Sequence, residues 1–297
     1  MIKVNQFKLP DLVRLFKERI PQPIKLAKAP SFFNRHENLY QLYDYLEEQP
    51  NPESASNLNI FLSDDETLRP LGALYWAEED GRDLLMKANL LLIEGEIQAK
   101  YDRLFQRKLH ATVFEAQELI RLLRDWADDQ DFPLPVKQCH QLINNKSKIS
   151  RVMTYLQKHL DSVSRAKRDK LPLCLGIDGN MYRCGDDEIF YADWKVREFI
   201  DLNETDYTLL DSNLQSEYGK ELIALGCPQF EPGVFINYLS SIAKVGKLTH
   251  KPDELRKLYG EVDRQLRQLT GSDQRNREVL IEQIKALPIY LTKQERL

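Results

Sequence analysis

Three stretches of this chain open alike. Leu58–Leu68 reads LNIFLSDDETL, Leu171–Met181 reads LPLCLGIDGNM and Leu287–Leu297 reads LPIYLTKQERL, with starts 113 and 116 residues apart. A tandem repeat constrains a fold more tightly than composition does, because every copy must take one shape and stack on its neighbours. Each stretch begins apolar and then turns polar. In the second, Gly179 within Asp178-Gly179-Asn180 takes positive φ at little cost, which suits a tight hairpin turn. Asp65-Glu66 and Lys293-Gln294 hold that place in the other copies. The pattern predicts strand, turn, strand three times.

The likeness runs past the hairpins. Leu74-Tyr75-Trp76-Ala77 matches Ile189-Phe190-Tyr191-Ala192, and Leu92, Ile97, Gln98 and Tyr101 match Leu209, Leu214, Gln215 and Tyr218 at a constant offset of 117. Val113-Phe114 aligns with Val234-Phe235 at 121, an upward drift that small loop insertions explain. A helix precedes each hairpin. Leu39, Leu42, Tyr43 and Leu46 fall at i, i+3, i+4 and i+7, as do Ile149, Val152, Met153 and Leu156. In the third copy Leu255, Leu258, Val262, Leu266 and Leu269 form the stripe, and Gly271-Ser272-Asp273 breaks the chain before a short helix from about Asn276 to Ala286.

A second helical segment, Gln98–Trp126 or Tyr207–Lys244, completes a unit, and residues 128–133 and 246–252 are polar linkers. The fold expected is α+β, mainly helical, in tandem units of helices plus a short β-hairpin. The divisions are an N-terminal segment 1–35, repeat unit 1 at 36–132, repeat unit 2 at 133–252 and the start of a truncated third unit at 253–297. Ending inside a hairpin would leave strand hydrogen bonds open. That predicts a fragment of a longer repeat protein.

Composition narrows the function. Of 297 residues, 42 % are hydrophobic and 30 % charged, enough to bury one large core or several small ones. Lys and Arg number 42 against 46 Asp and Glu, so a wholly basic, nucleic-acid-coating surface is excluded. The longest apolar clusters, Leu84–Met86 and Leu90–Ile93, are far short of a membrane span of about 20 residues. Lys3, Lys8 and Asp11 interrupt any signal-peptide core. A cytoplasmic protein is expected. Cys139, Cys174, Cys184 and Cys227 lack metal-type spacing and read as reduced structural thiols.

The segment Leu171-Pro172-Leu173-Cys174-Leu175-Gly176-Ile177-Asp178-Gly179, followed by Tyr191-Ala192-Asp193, resembles the internal repeats of sacsin-like proteins. Leu287-Pro288-Ile289-Tyr290-Leu291 repeats its opening, whereas the first copy departs, with Asn59 in place of the proline. The resemblance spans most of residues 36–297. It implies a chaperone-type or scaffolding role beside an ATPase module of the heat-shock-protein-90 type, in a family with relatives among large NTPases linked to phage defence. That module needs an Asn-bearing helix and an Asp-x-Gly-x-Gly loop. No Gly-x-Gly occurs here, so the resemblance places this chain in the helix-rich region after the module, with no cofactor of its own.

The remaining motifs are sparse. There is no P-loop, no Gly-x-Ser-x-Gly elbow and no His-Glu-x-x-His helix, and the histidines at 36, 110, 140, 159 and 250 are scattered. No catalytic residue is assigned. Cys139-His140 is the one adjacent thiol–imidazole pair; it lacks further metal ligands and reads as a linker junction with a buried thiol and an exposed imidazole. Glu94, Glu96 and Lys100 loosely match the carboxylates and lysine of a metal-dependent nuclease, but read better as a helix with a Glu96–Lys100 ion pair. Asp64-Asp65-Glu66 and Asp186-Asp187-Glu188 are candidate cation sites or solvated turns.

Arg165, Lys167, Arg168 and Lys170 form a basic cluster that is a candidate interaction site. Residues 244–297 carry 12 Lys and Arg against 8 Asp and Glu. Tyr75, Trp76, Phe190, Tyr191 and Trp194 follow the hairpins and, recurring at equal points in two copies, predict core contacts rather than base stacking. Together these readings predict a non-catalytic scaffold that contacts other domains of a parent protein or a protein partner. A nucleic-acid-binding subunit using the basic C-terminal third, and a metal-dependent enzyme, are the alternatives.

Overall fold

In the computed structural model, which describes residues 8–88, 90–162, 170–200, 207–244, 252–268 and 274–287, the first two hairpins form where the sequence predicts them. The fold is mainly helical α+β with sheets of two or three short strands. The chain divides into two compact units, residues 1–126 with 140–167 and residues 127–139 with 168–297.

The first unit begins with α1 (Leu9–Arg19), which has a proline in its first turn, where a missing N–H costs nothing. Strand β1 (Ile24–Lys25) leads to α2 (His36–Glu48), then to the hairpin β2 (Phe61–Leu62) and β3 (Thr67–Arg69). These strands form an antiparallel sheet in the order β1-β3-β2, with Ile24 opposite Leu68 and Leu62 opposite Leu68 on its other side. The stripe predicted on α2 is buried: Leu39, Leu42, Tyr43 and Leu46 are each at most 1 % exposed. Its tyrosine ties helix to hairpin. The Tyr43 hydroxyl donates to the Ile60 carbonyl at 2.8 Å and accepts from the Leu62 amide at 3.2 Å. Around it lie the rings of Phe61, Tyr101 and Phe105, with centroids 5.3 to 6.1 Å from its own.

Strand β4 (Tyr75–Trp76), α3 (Glu79–Lys87), α4 (Gly95–Lys100), β5 (Thr112–Val113), α5 (Ala116–Asp128) and α6 (Lys146–His159) complete this unit. Strands β4 and β5 are parallel, with Tyr75 opposite Thr112. The predicted helical segment Gln98–Trp126 is therefore not one helix. It is interrupted where His110 takes φ +51° and the chain turns into β5.

The second unit repeats the plan. β6 (Leu134–Pro135), β7 (Cys174–Leu175) and β8 (Asn180–Tyr182) form a sheet in the order β6-β8-β7, again antiparallel. β9 (Ile189–Phe190) pairs in parallel with β10 (Thr208–Leu209). α7 (Trp194–Arg197), α8 (Ser212–Ala224), α9 (Pro232–Lys244), α10 (Pro252–Gln268) and α11 (Gln274–Lys285) follow. Gly179 stands at φ +82°, and Glu66 takes φ +57° in the other hairpin, so both turns use the left-handed region. A Cβ at Gly176 would meet the side chains of Asp178, Thr208 and Tyr182, so a larger residue there would have to push them aside.

The copies correspond bond by bond. The isolated bridge Ser63–Ile93 recurs as Gly176–Leu210, and the amides of Glu94 and Asp211 donate to the carbonyls of Leu62 and Leu175 at 2.9 and 2.8 Å. The Phe114 amide donates to the Trp76 carbonyl at 2.7 Å, and the Phe230 amide to the Tyr191 carbonyl at 2.8 Å. Val113-Phe114 thus corresponds to Gln229-Phe230, not to Val234-Phe235, which lie within α9. Strand β1, in the segment read as an N-terminal extension, is the counterpart of β6 at an offset of 110. The third predicted hairpin, Leu287–Leu297, lies outside the described residues beyond Leu287. Its preceding helices are present as α10 and α11, with Leu255, Leu258 and Val262 buried.

Candidate functional site

The residues common to both copies converge on a polar tie beside each parallel strand pair. Gln98 donates through Nε2 to the Ala77 carbonyl at 2.7 Å and accepts from the Ala77 amide at 3.3 Å. Gln215 does the same with Ala192 at 2.5 and 3.4 Å. An arginine joins each. Arg82 donates to Gln98 Oε1 at 2.7 Å and to the Ile93 carbonyl at 2.9 Å, while Arg197 donates to Gln215 Oε1 at 2.6 Å and to the Leu210 carbonyl. Ala77 and Ala192 are wholly buried, so their backbone groups have no water to turn to. Glu94 and Asp211 cap the helices that carry the glutamines, each accepting two amides of the first turn. The glutamines share the 117-residue offset of their neighbours, whereas the arginines stand 115 residues apart, out of that register.

Each tie fixes a helix, α3 or α7, against which a later helix packs to leave a groove. In the first unit the groove is lined by Glu79, Asp80, Asp83 and Leu84 of α3 and by Arg151, Thr154, Tyr155 and Lys158 of α6. In the second it is lined by Trp194, Lys195, Glu198 and Phe199 and by Lys257, Gly260, Glu261 and Arg264 of α10. The two sets correspond residue for residue, at offsets of 115 and 106. α10 therefore stands to α7 as α6 stands to α3.

Beside the first groove is a pocket of about 230 Å³ lined by Trp76, Glu78, Asp80, Phe114, Glu115, Tyr155 and His159, among others. The Phe114 and Tyr155 rings lie 5.9 Å apart, and His159 lies 4.6 Å from Tyr155. Burial, then the charges of Glu115, Asp80 and Glu78, push the Tyr155 hydroxyl up to about 12. Lys158 pairs with Asp80 at 2.8 Å, which holds that carboxyl below its ordinary value.

Of the basic cluster, Arg165, Lys167 and Arg168 lie outside the described residues. Lys170 is exposed at φ +61°, its amide donating to the Cys184 carbonyl at 3.1 Å. Cys139 and His140 do not act as a pair. The Cys139 thiol faces the Pro135 carbonyl at 3.7 Å and burial raises it to about 11. The His140 imidazole is half-buried rather than exposed; its Nδ1 accepts from the Leu142 amide at 3.3 Å, and burial followed by Lys148 lowers its pKa. Lys100 lies over the Tyr40 ring at 4.4 Å and does not close the predicted pair with Glu96.

The acidic runs spread outward. Asp64 takes Arg82 in a two-pronged pair at 2.8 Å, and Asp65 accepts from Ser63 and Arg69. Burial opposes ionisation of Asp65, but hydrogen bonds from Ser63, Arg69, Thr67 and Lys25 outweigh it and hold the carboxyl well below its usual range. Asp186 caps the Arg183 amide at 2.9 Å. Among the described residues no group of three or more potential ligands is placed to hold a metal ion.

Of the aromatics expected in the core, Phe190 is buried and Tyr75, Trp76 and Tyr191 are half-buried, whereas Trp194 is 64 % exposed with Lys195 over its ring. All four cysteines are buried and free. Cys174 meets Cys184 at 3.3 Å, and this contact, Cys227 and burial keep it a thiol. No described helix is long and apolar enough to cross a membrane. In comparisons with known proteins, no family model, no curated protein and no solved structure matches the chain.

Proposed function

We propose that this chain is a non-catalytic scaffold that carries protein–protein contacts within a larger sacsin-like, chaperone-type or phage-defence-associated NTPase of the cytoplasm. The observation behind it is the duplicated tie. The polar residues common to both copies, Arg82 with Gln98 and Arg197 with Gln215, are spent on one another and on backbone and side-chain groups of their own unit. A polar residue kept for chemistry would instead face a ligand. The parent's other domains or a protein partner are the expected contacts, and the chain needs no cofactor for that role.

The test is direct. The purified chain should neither hydrolyse ATP nor cut DNA or RNA above background with Mg²⁺ or Mn²⁺. A metal- or nucleotide-dependent turnover that a single substitution removes contradicts the reading. Nucleic-acid affinity that falls steeply with salt would move the assignment to a binding subunit.

A further inference from the structure

We infer that the pocket between β4, β5 and α6 in the first unit receives the guanidinium side chain of an arginine on a protein partner. Its walls are the rings of Trp76, Phe114, Tyr155 and His159, and its carboxylates are Glu78, Glu115 and Asp80, the last already paired with Lys158. Aromatic faces and carboxylates together attract an organic cation, the rings through their negative faces and the acids through charge-assisted hydrogen bonds. At about 230 Å³ the pocket falls below the range of drug-sized sites and suits a single side chain.

The second copy differs at the counterpart of Glu78. There the counterparts of Glu78, Tyr155 and Lys158 are Asp193, Glu261 and Arg264, and the Arg264 guanidinium pairs with Asp193 at 3.3 Å and with Glu261 at 2.5 Å. The second unit thus pairs the counterpart of Glu78 with a cation of its own chain, carried by a residue whose counterpart Lys158 lines the adjoining groove. In the first unit the counterpart Lys158 turns to Asp80 at 2.8 Å, and among the described residues neither Glu78 nor Glu115 has a cationic partner. Both carboxylates stand at the N-terminal ends of helices, α3 and α5, where the helix dipole favours negative charge.

The proposal deepens the scaffold reading by giving a partner's contact its chemistry, and it rests on that reading. The test titrates the full chain with an acetylated, amidated Gly-Arg-Gly peptide and, separately, with agmatine, following the Trp76 indole resonance assigned through Trp76→Phe. The expected result is a saturable shift with the peptide, weakened about tenfold in Glu78→Gln/Glu115→Gln. Glu78→Lys provides a second arm: it puts a cation where the pocket has a carboxylate, and binding should vanish while the thermal midpoint holds. No saturable shift, equal affinity in the double variant, or tighter binding of agmatine than of the peptide overturns the proposal. Failure here with no ATP or nucleic-acid turnover leaves the scaffold reading standing, whereas turnover removes that reading whatever the pocket binds.

Discussion

Gln98→Leu is expected to destabilise the first unit by about 3 kcal/mol, and Gln215→Leu to do the same in the second. Leucine roughly fills the space but meets none of the hydrogen bonds. It leaves the Ala77 amide and carbonyl unpaired in a place with no solvent, together with one donor of Arg82. Each buried polar group so stranded costs about 1–3 kcal/mol. Gln106→Leu is the matched control. Gln106 also donates through Nε2, to Asp102 at 2.6 Å, but the bond is exposed and its loss should stay within about 0.5 kcal/mol. Because two units need not unfold together, the effect should be read by hydrogen exchange within each unit rather than from one global curve.

Phe105→Ala should cost more, about 3–5 kcal/mol, as removal of a fully enclosed ring does. Phe105 is wholly buried, edge-on to Tyr43 at 5.8 Å and to Phe61 at 6.1 Å. Those two rings hold the hairpin on α2, so the cavity opens at the joint between helix and sheet. A fall in the thermal midpoint of about 10 °C or more follows for a unit of this size. Phe105→Leu, which keeps most of the volume, should lose much less. A loss below about 1 kcal/mol for the alanine variant would mean that this aromatic cluster is not the core of the unit.

How far the fold was legible depended on where the chemistry lay. The hairpins and the helix stripes could be read because apolar period and turn residues are local signals. Gln98 and Gln215 stood out as identical residues at one offset. Strand β1 leaves no trace in the repeat pattern, because Ile24-Lys25 and Leu134-Pro135 share no residue; two-residue strands are set by pairing with β3 and β8, not by side-chain identity. Val113-Phe114 was drawn to Val234-Phe235 by matching letters, while the hydrogen bond that defines the position belongs to Phe230. Lys100 had a charge partner one helical turn away and took aromatic faces instead.

The candidate site was less legible still. The basic cluster is legible because charge density is a property of adjacent residues. The pocket is assembled from β4, α3, β5 and α6, four stretches spread over more than 80 residues, and only the fold brings Trp76, Glu115 and Tyr155 together. Its one sequence signal is comparative: Arg264 meets Asp193, the counterpart of Glu78, whereas Lys158 pairs with Asp80 and leaves Glu78 alone. That contrast has meaning only after α10 and α6 are known to occupy equivalent places.

Native-state hydrogen exchange of three matched amide pairs, Ala77 with Ala192, Glu94 with Asp211 and Phe114 with Phe230, tests most directly whether one packing module has been built twice. Every one of these amides donates to an equivalent acceptor in its own copy. Comparable strong protection within each pair is the result expected. Protection of one set while its counterparts exchange at the rate of an open chain would contradict a shared architecture.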